Sequence, residues 1–273
     1  MEKNALRQLQ GEEARKRVAP LFDGWDETLI WSVLQGCMGT LWCLEDACEP
    51  PSEAVCEIGD FLFVAGNADT IRAERLLHAL SRHVNGKAGI LVPQSKAWEP
   101  KLEAAFEGRY KRCERYAICK DAHCFDVAHL QAMVNALDRK FTIAPIDGEL
   151  YERLLQEEWS RDFCAVFGSA ENYMKNGLGF VALCNQEPVG GASSYTYYNG
   201  GIEIEVDTRR DLRRQGIACA CCAKLILTCL ERGLYPSWDA ANRASVQLAQ
   251  KLGYCEQGAY CVYEVNDEQK DEG

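Results

Sequence analysis

The chain has 273 residues, enough for one large domain or two ordinary ones with a sizeable core. Apolar residues make up 47% and charged residues 26%, the balance of a soluble globular protein, and no uninterrupted apolar run reaches bilayer-spanning length. A formal net charge of −11 argues against nucleic acid as a main partner, because phosphate backbones need clustered Lys and Arg.

Residues 2–17 are charged, with leucine and alanine at helical spacing until Pro20 and Gly24, which predicts a helix. Met1–Arg7 lack the apolar stretch of a secretion signal, so a cytoplasmic protein without a membrane span is expected. Strands are predicted at Thr40–Leu44 and Asp60–Ala65, and Gly66-Asn67 closes the second. Ala73–Val84 reads as a helix with Leu76, Leu77 and Leu80 on one face, stopped by Asn85-Gly86. A short strand at Gly89–Val92, a helix at Trp98–Phe106 and a strand at Tyr110–Cys119 follow. Asp126 is a good N-cap for a helix running to Leu137. The charged Asp138-Arg139-Lys140 is the expected boundary between domains 1–138 and 139–273.

Past that boundary the sequence predicts a strand at Phe141–Ile146 and a helix at Glu149–Trp159. A hairpin of Gly179–Cys184 and Pro188–Ser194 is expected to turn through Asn185-Gln186-Glu187. A strand at Ile202–Val206 leads to the basic turn Arg213-Arg214-Gln215-Gly216-Ile217-Ala218. A long helix from Ile217 to Arg232 stops at Gly233; then come a strand at Tyr235–Trp238, a helix opened by Asn242 and a last strand near Tyr260–Val265. The polar tail Asn266–Gly273 is expected to fray.

Fifteen cysteines without a secretion signal read as reduced thiols, many of them small buried apolar residues. Cys219 and Cys222 have C-x-x-C spacing but fall on one continuous predicted helix, and Cys119, His123, Cys124 and His129 fit no familiar zinc pattern. No metal is expected.

The basic turn carries the most specific chemistry. Gly216 lets backbone approach a ligand, and unpaired N–H groups at the start of the following helix sit at the positive end of its dipole. Arg213 and Arg214 add full charges that suit phosphate oxygens. Alone, this pattern reads more readily as a solvated basic loop before an ordinary helix. Neither the usual nucleoside-triphosphate loop nor the dinucleotide glycine motif is present.

Residues 141–265 resemble the GNAT superfamily of acyl-CoA-dependent N-acyltransferases in their order of elements. Arg213–Ala218 resembles its pyrophosphate motif, and Asn242-Arg243-Ala244-Ser245 with Leu248–Tyr254 resembles its second coenzyme-contacting helix. Upstream, Trp31–Gly36 and Gly59–Gly66 look like a two-domain group of that superfamily that includes a zwittermicin A self-resistance acetyltransferase. The resemblance implies an α/β fold with a mixed α+β sheet: a C-terminal acyltransferase domain and an N-terminal α/β domain that walls the acceptor pocket or forms a homodimer contact. It implies acetyl-CoA as co-substrate, held by Val206, Arg213, Arg214, Gln215, Gly216, Ile217, Ala218, Asn242 and Ser245.

Direct attack on a thioester requires a neutral amine, and a carboxylate, often through water, can take its proton. Glu203 and Glu205 are the candidates, at i, i+2 spacing on one face of a regular strand. The resemblance ranks Glu203 first, several residues before the strand's end; a bulge would reverse the facing, and the alternative is a solvated polar face. The tyrosine that protonates the leaving sulfur in many members falls here at Ala249; either Tyr254 or Tyr260 stands in, with Tyr254 better suited to aromatic packing, or the thiolate leaves without a dedicated acid. The leading expectation is an N-acetyltransferase acting on a small-molecule amine. The alternatives are a non-catalytic coenzyme-binding regulator and a protein N-acetyltransferase.

Overall fold

The computed structural model describes residues 5–46 and 50–266, so the tail beyond Asn266 lies outside the described residues. The chain forms two compact units: residues up to Glu114 together with those from Tyr260 onward, and Arg115–Ala259. Both mix helices and strands, as the α/β expectation requires.

The first unit holds β1 (Leu6–Leu9), α1 (Glu12–Val18), α2 (Thr28–Gln35), β2 (Thr40–Leu44), β3 (Glu53–Ile58), β4 (Phe61–Gly66), α3 (Ile71–His83), β5 (Gly89–Pro93) and α4 (Glu99–Ala105). Strand β6 (Tyr110–Ile118) carries the chain onward. Strands β1 to β4 pair antiparallel in sequence order, and β4 pairs parallel with β5. Residues 2–4 of the helix expected across 2–17 lie outside the described residues, and over the rest it is corrected to a strand and a shorter helix. Leu6 pairs with Leu44 and Leu9 with Leu41, and Gly11, at φ 85°, separates β1 from α1. Sheet pairing overrides helical spacing there. Strand β3 gives no alternation to read, because it lies between β2 and β4 and is buried nearly throughout. Its buried Glu53 carboxylate accepts hydrogen bonds from the Thr70 and Ser52 hydroxyls. Leu76, Leu77 and Leu80 of α3 form a core with Trp98 and Phe106.

The second unit holds α5 (Val127–Asn135), β7 (Phe141–Pro145), α6 (Gly148–Leu154), α7 (Ala170–Asn176), β8 (Gly179–Cys184), β9 (Glu187–Tyr198) and β10 (Gly201–Thr208). After these come α8 (Ile217–Glu231), β11 (Tyr235–Ser237), β12 (Asp239–Ala240), α9 (Arg243–Lys251) and β13 (Glu256–Val265), which returns the chain to the first unit. The sheet order is β11-β10-β9-β8-β7, antiparallel except for the β10–β11 pair. Helix α8 packs Cys221, Cys222, Leu225, Ile226 and Cys229 into the core, where Leu130 of α5 joins them.

The β8–β9 turn has two residues rather than the three expected. Cys184 pairs with Glu187, and Asn185 (φ 51°) and Gln186 (φ 69°) both take the left-handed conformation of a type I′ turn. Asn suits that conformation; Gln is unusual there, which hid the turn's length.

Candidate functional site

The site grows from the way β10 and β11 part. They are in parallel register at Gly201↔Tyr235, Ile202↔Pro236 and Glu203↔Ser237, where the register ends. Strand β10 runs on to Thr208 alongside β9, whereas the chain after Ser237 turns to β12, whose Asp239 and Ala240 pair with Ala117 and Tyr116 of β6. A wedge therefore opens between neighbouring parallel strands just beyond Glu203.

At the far end of β10 the chain enters the basic turn. The Arg213 side chain is folded back on the strand, its Nε donating to the Thr208 carbonyl at 3.0 Å and its guanidinium pairing with Asp207 at 3.1 Å. Arg214 is exposed and sits at φ 63°, and Gln215 Oε1 accepts from Lys140 Nζ at 2.8 Å, which brings a third cation to the turn. Gly216 is the N-cap of α8 at φ 83°, ψ −1°, with open space where a Cβ would stand. Glycine is therefore required there for its backbone conformation and not for room. No side chain caps α8, and its first intrahelical bond runs from Ala220 N–H to the Gly216 carbonyl, so the amides of Ile217, Ala218 and Cys219 lie ahead of the ladder. Gly190 is the reason α8 starts so close to the sheet: a Cβ there would stand 2.6 Å from Ile217 Cγ2. Helix dipole, bare amides, Arg214 and Lys140 give this turn a positive potential, while the Arg213 charge is offset by Asp207.

Along β10, Ile202 and Ile204 face the core under α8, and Val206 packs beside them. Glu203 is 5% exposed and Glu205 half-buried. Glu205 is the register partner of Ser193, whose hydroxyl donates to the Phe163 carbonyl at 2.7 Å and receives the Tyr173 hydroxyl at 2.7 Å. Glu203 is the register partner of Thr196 on one side and Ser237 on the other, so three buried polar residues form a row at the tip of the wedge. A bulge between Glu203 and Ile204 leaves Tyr195 as the extra residue on β9. The row is invisible from sequence because the bulge breaks the alternation of β9.

Asn242 caps α9, its Oδ1 accepting the Ser245 N–H at 3.0 Å, and Ser245 Oγ accepts the Trp238 indole N–H at 3.0 Å. Tyr254 is buried and donates its hydroxyl to the Pro236 carbonyl at 2.6 Å, with its ring edge-on to Phe125. Burial pushes its phenol up. It thus clamps β11 at the residue before Ser237. Tyr235 is held similarly, donating to the Cys119 carbonyl and accepting the Asp121 N–H. A separate cleft of about 370 Å³, lined by Arg153, Trp159, Glu187 and Arg209, was not foreseen from sequence.

Cys221 and Cys229 are buried, and desolvation pushes both thiols up to about 12; Cys222 is pushed well above the ordinary range for the same reason. Neutral thiols packed in a core are poor ligands and poor nucleophiles.

The family described as GNAT acetyltransferase matches residues 19–263. The chain belongs to that family. A solved GCN5-related N-acetyltransferase-like protein from Streptococcus suis 89/1591 is 44% identical, with TM-score 0.85, covering 93% of this chain and 99% of that one. A GCN5-related N-acetyltransferase from Kribbella flavida, at 14% identity and TM-score 0.55 over 80% of this chain and 88% of its own, shares the fold. The Bacillus subtilis (strain 168) protein named Uncharacterized N-acetyltransferase YdfB is 29% identical over 99 residues, 36% of this chain; the match spans only 38% of that relative's length. In this GNAT chain the basic turn at Arg213–Ala218 falls inside the family match, as does the wedge. Ala249 is fully buried in the core. Among the described residues no helix is long and apolar enough to cross a membrane.

Proposed function

We propose that this chain is an acetyl-CoA-dependent N-acetyltransferase that moves the acetyl group directly to an amine of a small molecule. The observation that carries the reading is that one strand, β10, delivers both an uncapped helix mouth and a buried carboxylate beside a wedge in the sheet. The amides from Gly216 onward, with Arg214 and Lys140, suit a pyrophosphate; the wedge suits a pantetheine arm lying between Val206 and the α9 cap at Asn242 and Ser245.

In the transfer the acceptor nitrogen attacks the thioester carbonyl. A C–N bond forms, the C–S bond breaks with its electron pair on sulfur, and Glu203 takes the proton from nitrogen. Glu203 is preferred to Glu205 because it stands where the parallel strands part. Tyr254 serves here as the clamp on β11 through Pro236, and the thiolate leaves without it. The resemblance of Trp31–Gly36 and Gly59–Gly66 to a self-resistance group accords with a small-molecule acceptor and does not fix the substrate. The described cysteines are free thiols, which suits the reducing cytoplasm.

Release of free thiol from acetyl-CoA, followed across a panel of small amines and lysine peptides, tests the reading. Acceptor-dependent release with small amines supports it. Coenzyme binding with no release from any acceptor favours a regulatory role instead, and release with peptides alone favours protein acetylation.

A further inference from the structure

At the tip of the wedge, Thr196 carries a polar atom that the described fold leaves unmatched. Thr196 is fully buried, and among the described residues its Oγ1 has no hydrogen-bond partner. A buried hydroxyl left unmatched destabilises the folded state, so its presence in the middle of a packed strand asks for a reason. The same strand shows the ordinary solution three residues earlier, where the Ser193 hydroxyl is bonded on both sides. Thr196 differs in where it stands: its register partner is Glu203, which in turn pairs with Ser237 at the last position before β10 and β11 separate. Side chains of directly opposed residues share a face with Cβ atoms about 5 Å apart, close enough for a rotating hydroxyl to meet a carboxyl group.

We propose that Thr196 is a positioning residue for acyl transfer, acting through Glu203; the idea rests on the assignment of Glu203 as the base. When Glu203 takes the acceptor's proton, an N–H bond breaks and an O–H bond forms on its carboxyl group. That new donor is buried and needs an acceptor. Thr196 Oγ1 supplies its lone pairs, holding the protonated carboxyl group in line while the C–N bond forms and the C–S bond breaks. Unpartnered in the structure, the hydroxyl meets the carboxyl group by a turn of either side chain; it donates to the ionised carboxylate before transfer and accepts from the protonated one after it, holding the group in line throughout.

The test compares Thr196→Val, Thr196→Ser, Glu203→Gln and the Thr196→Val/Glu203→Gln double variant in the full chain. Valine is nearly isosteric with threonine and favoured in strands, and it removes the unmatched hydroxyl, so the melting temperature is expected to stay level or rise. Thr196→Ala gives a second variant should valine not fold. The expected result is a fall in kcat of about 10-fold with KM for acetyl-CoA and for the acceptor within about 2-fold of wild type. Serine restores most of the rate. In the Glu203→Gln background, Thr196→Val adds no further loss, because the group it acts through is gone.

An unchanged kcat in Thr196→Val overturns the proposal, as does a loss that persists in full in the Glu203→Gln background. Full activity in Glu203→Gln alone removes Glu203 as base and the role of Thr196 with it. A wild-type chain that binds acetyl-CoA but acetylates nothing contradicts the acyltransferase reading itself, a failure distinct from either.

Discussion

Glu203 and Ser237 are the last residues at which β10 and β11 stand in register, and beyond them the two strands go to different neighbours. This places a buried carboxylate at the closed end of an opening whose other end is the uncapped start of α8. Replacing Glu203 by Gln is expected to lower kcat on the order of 10²-fold, a size typical of losing a general base, with coenzyme affinity unchanged. Glu205→Gln is expected to lower it by less than about 10-fold, since that residue lies further along β10. Steady-state rates with separate determination of both KM values check the ranking; the reverse order moves the base to Glu205.

Gly190→Val tests how closely α8 must approach the sheet. A Cβ at that position would meet Ile217 Cγ2 at 2.6 Å and Thr208 Oγ1 at 2.9 Å. Both contacts are in the core at the start of α8, where little can give. Destabilisation of about 1–3 kcal/mol is expected from overpacking, together with weaker coenzyme binding as the helix mouth is displaced. Urea unfolding and calorimetric titration of the same sample measure the two effects.

Asn242→Ala removes the side-chain cap of α9. The loss of the bond to the Ser245 N–H is expected to destabilise the chain by about 1 kcal/mol. If Asn242 also meets the pantetheine arm, acetyl-CoA affinity falls as well; Asn242→Asp, which still caps, separates the two roles in a binding titration.

The buried thiols of α8 give a pH dependence whose sign is fixed by burial. Desolvation raises Cys221 and Cys229 to about 12, well above the ordinary range of an exposed thiol. A folded-state value above the unfolded one means that stability is complete below about pH 9 and declines as pH rises from there toward 12, because only the unfolded chain ionises. Urea midpoints at pH 8 and pH 10 are expected to show that decline, and a Cys221→Ala, Cys229→Ala variant is expected to show a shallower one. Exposed Cys255 is expected to alkylate at pH 8 while these thiols do not.

Much of the second unit could be read along the sequence because its elements obey local rules. The N-caps Asp126 and Asn242, the stop at Gly233 and the left-handed Gly216 each leave a residue-level sign, whereas the helix expected at Glu149–Trp159 ends at Leu154. The basic turn is legible for the same reason. What could not be read depends on neighbours distant in sequence. Strand β1 exists because Leu6–Leu9 find β2, and β3 hides its period under cover on both sides. Helix α7 is short, and Tyr173 is its one buried residue. The Thr196–Glu203–Ser237 row requires a bulge on β9 and the exact point at which a parallel pair ends, neither of which leaves a pattern along one strand. Tyr254 carries two readings in sequence; its hydrogen bond to Pro236 ties it to β11.

The claim on which the rest depends is that a coenzyme diphosphate docks on the bare amides at the start of α8. Isothermal titration of the full chain with acetyl-CoA, run beside Gly216→Ala, tests it most directly. A Cβ at φ 83° costs roughly 1–2 kcal/mol in the left-handed conformation that shapes the turn. The account predicts saturable heat for the wild-type chain and binding about 10-fold weaker for the variant. No heat from the wild-type chain, or equal affinity in both proteins, would contradict it.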